Sequence, residues 1–244
     1  MAPSDDTVIG LLFLFGLIVG SFYNVVIYRL PQGESLIYPG SSCPNCGEHL
    51  SSKELIPVLS YILQRGKCKH CKDSISWQYP LVELLTGLGF VVIGTQSSSL
   101  VNLLAGLVFF SLLLILAFID AKHMLLPNVL TVSGLVSGLL FALFGWTVPF
   151  GHSFFGFITG GGILLAISVI SKGGMGMGDV KLLAMIGSFL GPRNAMFTLF
   201  WASFMGSIWG LSFLYITKKD RKTPIPFGPF LAAAAVLMYF VGQG

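Results

Sequence analysis

Apolar residues run through this chain in long unbroken blocks, at about 7–28, 79–95, 99–119, 126–146, 150–171, 179–191, 194–216 and 226–242. Roughly 20 apolar residues are what an α-helix needs to cross a bilayer. The strands of a closed barrel alternate between faces, and these blocks do not. The pattern predicts an all-α membrane protein of about eight transmembrane helices. The sixth block is short and opens from a glycine-rich entry, so it is a tilted or irregular span. A polar segment from 31 to 78 separates the first block from the second. Its start holds Pro31, Gly33, Pro39 and Gly40, which suits a linker.

Composition agrees with the pattern. The 244 residues are 54% hydrophobic and 10% charged, with a mean hydropathy of +0.84, whereas a soluble domain carries about 25% charged residues. Asp5 and Asp6 stand where a cleavable signal would be basic, so the first block is expected to remain as a span.

Charge then gives an orientation. Arg29, Lys53, Arg65, Lys67, Lys69 and Lys72 follow the first block. Lys122, then Lys172 and Lys181, then Lys218, Lys219, Arg221 and Lys222 fall in alternate later connections. With eight spans these lie on one side, and Arg193 alone lies on the other. Basic loops stay in the cytoplasm, so both termini are expected outside. The net charge of +4 is thus a topology signal, and no nucleic-acid partner is expected.

Acids are scarce within the blocks, and a carboxylate at membrane depth is costly. Asp120 closes the run SLLLILAFID, and Asp179 ends Gly176-Met177-Gly178-Asp179. Alone, Asp120 reads as a helix end reaching the headgroups and Asp179 as a helix cap. The eight-span topology puts both near the cytoplasmic face. Two carboxylates that meet there share one proton and activate a water, which is aspartyl-protease chemistry. Gly176 and Gly178 would let the backbone approach closely and take positive φ.

All four cysteines lie in the polar segment, as Cys43-Pro-Asn-Cys46 and Cys68-Lys-His-Cys71. Two such knuckles wrap one tetrahedral Zn²⁺. A reducing cytoplasm argues against disulfides, and no thioredoxin-like context argues for a redox pair. His49 and His70 are alternative ligands of lesser weight. The metal would be structural, supplying folding energy to a segment with little core. The domains expected are a first transmembrane helix at 1–30, a cytoplasmic four-cysteine zinc-binding domain at 31–78 and a membrane peptidase core at 79–244.

The segments GSFYNVVIYRLP (20–31), SCPNC (42–46), RGKCKHC (65–71), ISWQYPLVELLTG (75–87), IDAKHMLLPN (119–128), GMGDVKL (176–182) and IPFGPFLA (225–232) together resemble the type IV prepilin peptidases, over nearly the whole chain. The resemblance implies a bifunctional leader peptidase and N-methyltransferase in the bacterial inner membrane. Such an enzyme cuts the basic leader of a type IV prepilin or pseudopilin after a glycine, at the cytoplasmic face. It then methylates the new N-terminus with S-adenosylmethionine. It also implies that Asp120 and Asp179 are the catalytic aspartates of a GxGD-type protease, with Gly176 and Gly178 in a loop that places the substrate.

The transferase site is less visible. No GxGxxG follows a strand, so a soluble Rossmann methyltransferase is absent. Glu83 is the acid within YPLVELLTG and would suit a sulfonium or an amine; the plainer alternative is a pairing with Arg29 or Lys72. Gly66, in the RGKC element, is the other transferase candidate, and Asn24, Tyr28 and Arg29 would line the same region. Two other readings compete. A preflagellin-type peptidase without transferase activity would lack the zinc segment. A proton-coupled carrier would show an inverted repeat, and none is visible.

Overall fold

A computed structural model describes residues 6–171, 175–217 and 225–242. Lys172, Gly173, Gly174, Lys218, Lys219, Arg221, Lys222 and Pro224, as well as Asp5, lie outside the described residues. Helices α1 (Asp6–Arg29), α2 (Leu59–Leu63), α3 (Gln78–Gln96), α4 (Leu100–His123), α5 (Asn128–Leu143), α6 (Phe150–Ile170), α7 (Met177–Thr217) and α8 (Gly228–Val241) account for nearly all regular structure. Among the described residues the β-structure is limited to two isolated bridges. Five helical segments are long and apolar enough to cross a membrane, at Asp6–Gln32, Gln78–Gln96, Leu100–His123, Phe150–Ile170 and Met177–Thr217. Helices α5 and α8 are apolar but shorter.

The chain forms two compact units, 1–107 and 108–244, with the boundary inside α4. In the first, α1 packs on α3 through small residues. A Cβ on Gly16 would sit 2.7 Å from Gly87 Cα, and one on Gly20 would sit 2.8 Å from Glu83 Cα. Backbones that approach so closely gain van der Waals contact that bulkier residues would forbid, the usual basis of association in lipid. Phe90 is buried and its ring lies 6.0 Å from that of Phe15, while Leu11, Leu14 and Ile18 are exposed.

In the second unit the first half of α7 is the centre. Residues 182–191 are buried without interruption, and α5, α6 and α8 pack on this helix. A helix apolar on every side requires neighbours on every side. They come close through glycine: Gly156 of α6 lies against Gly187, Gly160 against Leu183, and Gly138 of α5 against Ser188 and Phe189. The buried Ser153 hydroxyl donates to the Ser188 carbonyl at 2.6 Å. Phe109 stacks on Phe189 with centroids 4.6 Å apart. Helical geometry breaks at Gly191 (φ 78°, ψ 175°), immediately before Pro192, so α7 has two arms that meet where the sequence pattern separates its sixth and seventh blocks.

One boundary differs from the block pattern, whose third block stops at 119. Helix α4 runs a further turn past Asp120 and ends where Met124 takes a left-handed φ of 51°. Pro229 sits in the first turn of α8, after the Phe227 cap, where its missing N–H costs nothing.

The α6–α7 seam yields a stability prediction. Gly156→Leu would force a side chain into the Gly187 backbone. We expect a loss of about 2 kcal/mol, read as a lower unfolding temperature of the purified protein, whereas Gly162→Leu, with open space around it, is expected to be neutral.

Candidate functional site

The two cysteine knuckles are built alike. In the first, Cys43 N–H donates to Glu48 O (2.9 Å), Gly47 N–H to Cys43 O (2.9 Å) and Leu50 N–H to Ser41 O (2.9 Å). In the second, Cys68 N–H donates to Asp73 O (2.8 Å), Lys72 N–H to Cys68 O (3.0 Å) and Ile75 N–H to Gly66 O (2.7 Å). One residue past each second cysteine the backbone turns left-handed, at Gly47 (φ 72°) and Lys72 (φ 63°). All four sulfurs are free thiols within 4.8 Å of one another, and Cys43 Sγ lies 3.9 Å from Cys71 Sγ. Zinc–sulfur bonds of about 2.3 Å in a tetrahedron require sulfurs about 3.8 Å apart, so the set fits a single ion of that kind.

The thiols are electrically unequal. Backbone N–H groups of Cys46 and Asn45 bring the Cys43 thiol down to about 7. At Cys71 the Asp73 N–H acts the same way, but burial and the three neighbouring sulfurs outweigh it and push the thiol up to about 11. His49 and His70 stand outside the sulfur cluster. His70 Nε2 instead faces Glu54 Oε1 at 3.6 Å, and Glu54 Oε2 accepts from both the N–H and the hydroxyl of Ser51.

Glu83 is buried on the α1–α3 seam. Its Oε2 accepts the Val58 N–H at 2.7 Å. The pairing with Arg29 is not formed. Arg29 donates to the carbonyls of Ser35 (3.1 Å), Pro39 (2.7 Å) and Gly40 (3.2 Å), folding the linker onto itself. Val58 is held in a tight turn of φ 61° and ψ −49°, a rare and strained geometry for a β-branched residue. Asn24 donates to the Tyr79 carbonyl at 3.1 Å, but its buried Oδ1 has no partner. Gly66 has φ 67°, and a Cβ there would sit 3.0 Å from the Tyr61 hydroxyl.

Asp120 and Asp179 belong to the second unit. Asp120 is buried in the last turns of α4. Asp179 is half-buried in the first turn of α7, where its N–H donates to Gly176 O at 3.1 Å. The fold brings the two carboxyls within electrostatic reach of each other. Gly176 and Gly178 do not take positive φ; they provide room instead. A Cβ on Gly178 would sit 2.9 Å from the Leu126 Cβ, and one on Gly176 would sit 3.3 Å from Asp179 Oδ2. Lys181 is engaged by α5. Its Nζ donates to Asn128 Oδ1 at 2.7 Å, tying the start of α7 to the start of α5.

Two family models match this chain in order. Residues 14–97 match the bacterial peptidase A24 N-terminal domain, and residues 107–211 match the type IV leader peptidase family. A prepilin leader peptidase/N-methyltransferase of Bacillus subtilis is 37% identical over 239 residues, covering 96% of this chain and 95% of that protein. The chain belongs to the type IV leader peptidase family. A protein of the same description from Aeromonas salmonicida is 39% identical over 263 residues, with 96% and 90% covered. One from Pseudomonas aeruginosa is 37% identical over 264 residues, with 94% and 89% covered. No solved structure matches. With its apolar helices, this member of the leader peptidase family is an integral membrane protein.

The residue that sequence reasoning missed is Gly228. Its N–H donates to Asp120 Oδ2 at 2.8 Å. The available signal was the Gly-Pro pair in IPFGPFL, a helix start that leaves its first donor without an intrahelical partner.

The twin knuckles make opposite substitutions informative. Lys72→Gly relieves a left-handed side-chain position and Gly47→Ala creates one. We expect changes of about 1 kcal/mol in opposite senses, seen, in protein to which Zn²⁺ has been added, as a higher chelator concentration needed to reverse any binding in Lys72→Gly and a lower one in Gly47→Ala.

Proposed function

We propose that this chain cuts the basic leader from type IV prepilins or pseudopilins after a glycine and then methylates the new N-terminus. The reading rests on one observation above the others. A chain of the leader peptidase family carries two acids in apolar surroundings, on separate helices, within reach of each other. Such a pair holds one proton between its members. One carboxylate takes a proton from water while its protonated partner polarises the scissile carbonyl. Gly176 and Gly178 carry no side chains next to Asp179, and extended substrate backbone would lie along them.

The distribution of Lys and Arg supports an inner-membrane orientation with both termini outside and the pair at the cytoplasmic face. There it meets the junction between a prepilin's basic leader and its apolar helix. About eight spans remain our count. It takes the two arms of α7 as separate crossings and α5 and α8 as short ones, in a core otherwise without soluble character.

Cys43, Cys46, Cys68 and Cys71 would hold Zn²⁺ as a closed structural site, a cross-link that fixes the cytoplasmic segment 31–78. For methyl transfer the donor is S-adenosylmethionine, which supplies an electrophilic methyl group on a sulfonium. Glu83 and the unpartnered Asn24 Oδ1 are acceptors suited to a cation, either that sulfonium or the amine of the cleaved substrate. Gly66 borders the same unit's metal segment and is the second transferase candidate.

Incubation with a prepilin and S-adenosylmethionine, read by mass spectrometry, tests the whole reading. We expect Asp120→Asn and Asp179→Asn each to leave below about 1% of the cleavage rate in protein that is folded and zinc-loaded. Normal cleavage by either variant rejects the pair. Glu83→Gln is expected to cut normally and to lose most methylation of the cut product; full methylation removes Glu83 from the transferase.

A further inference from the structure

The two aspartates are not equivalent in their surroundings. Asp120 accepts a backbone hydrogen bond, from Gly228 N–H to Oδ2 at 2.8 Å, within a buried setting. Among the described residues none donates a hydrogen bond to the side chain of Asp179. The donor at Asp120 is also well placed by its element. Gly228 opens α8, and the N–H groups of Phe230 and Leu231 are turned back onto Phe227 O. Pro229 has no N–H. The Gly228 N–H is therefore the first free donor of the helix, at the end where the helix dipole is positive.

Position 228 also has no room for a side chain. A Cβ there would lie 2.7 Å from Asp120 Oδ2 and 3.0 Å from both Asp120 Cγ and Asp120 Cβ. The φ of Gly228 is not in the left-handed region, so backbone conformation does not demand glycine. What demands it is the carboxylate, which fills the space a methyl group would take.

We propose that Gly228 is a positioning residue that orients Asp120 and holds it as the ionised, proton-accepting member of the pair, leaving Asp179 to carry the proton. An N–H donor favours the charged form of the carboxylate it meets. The proton that two neighbouring carboxyls share then resides on the one without such a donor. This rests on the peptidase reading above and assigns its two roles. Asp120 takes a proton from water through its free oxygen as the water oxygen bonds to the scissile carbonyl carbon. The carbonyl oxygen takes the proton of Asp179, giving a neutral gem-diol. As the C–N bond breaks, Asp120 returns its proton to the leaving nitrogen, and one diol hydroxyl returns a proton to Asp179. Both aspartates end as they began.

The test uses the full-length chain in lipid nanodiscs and a synthetic prepilin with a basic leader, a Gly-Phe junction and an apolar helix. Gly228→Ala is expected to lower kcat about 100-fold with KM within about threefold of the unaltered chain. Gly206→Ala, whose new Cβ would find ordinary contacts at 3.5 Å or more, controls for replacing a glycine in a neighbouring helix. Because Gly228→Ala adds atoms and risks misfolding, a second variant adds none. Glycolic acid in place of Gly228 exchanges the N–H for an ester oxygen, and kcat is expected to fall at least about tenfold at unchanged KM. The role assignment adds an asymmetry. Asparagine at 179 still donates a hydrogen bond to the carbonyl, whereas asparagine at 120 accepts no proton, so the residual rate of Asp179→Asn exceeds that of Asp120→Asn. An ester variant with full kcat, or an effect on KM alone, overturns the positioning role. Residual activity in Asp120→Asn equal to or above that of Asp179→Asn overturns the assignment of the base. Normal cleavage by Asp120→Asn instead brings down the pair itself, a distinct result from an inactive Asp120→Asn beside a fully active ester.

Discussion

Enclosure of the first half of α7 is the constraint from which the membrane core follows. Ten consecutive buried residues, 182–191, leave no face for lipid, so neighbouring helices must close around it. They do so at backbone distance because Gly138, Gly156, Gly160 and Gly187 carry no side chains at the crossings. In hydrocarbon there is no aqueous driving force to push helices together, and close van der Waals packing takes its place. A central helix fixed this tightly gives Asp179 in its first turn a defined position. The Lys181–Asn128 hydrogen bond secures the same end from α5.

On the peptidase reading proposed above, the placement of Asp120 and Asp179 at helix ends reconciles two opposing demands. A carboxylate needs apolar surroundings to share a proton with its partner, yet it needs polar donors and water to act. Helix interiors offer no donors, because every N–H is already used. Helix starts do, and α8 presents its first N–H to Asp120. The last turns of α4, the first turn of α7 and the first residue of α8 thus contribute one group each.

Much of this was legible in the sequence, and the reason differs from feature to feature. Long apolar blocks located the helices because hydrocarbon tolerates few interruptions. The cysteine spacing gave a cluster whose sulfurs do converge, since a CxxC turn fixes its own geometry locally. The weakest block, 179–191, proved central, because burial by protein lets a helix be shorter than a lipid-facing one. Other features depend on contacts between distant residues. Nothing around Gly228 announces that its space belongs to Asp120, 108 positions earlier. Nor does the Val58 turn, which Glu83 holds by its N–H, leave any trace in local composition. Gly176 and Gly178 suggested an unusual backbone, whereas their φ values are ordinary and their contribution is space.

The matched knuckles carry one more implication. Each contributes a sheltered sulfur, Cys43 or Cys68, and an open one, Cys46 or Cys71. An ion held by all four is therefore rooted on one flank and facing water on the other. Exchange with competing thiols, and attack by oxidants, begins at the open flank. The sulfurs reached first belong to opposite knuckles, so early damage there would join the two halves of segment 31–78 rather than close either turn upon itself.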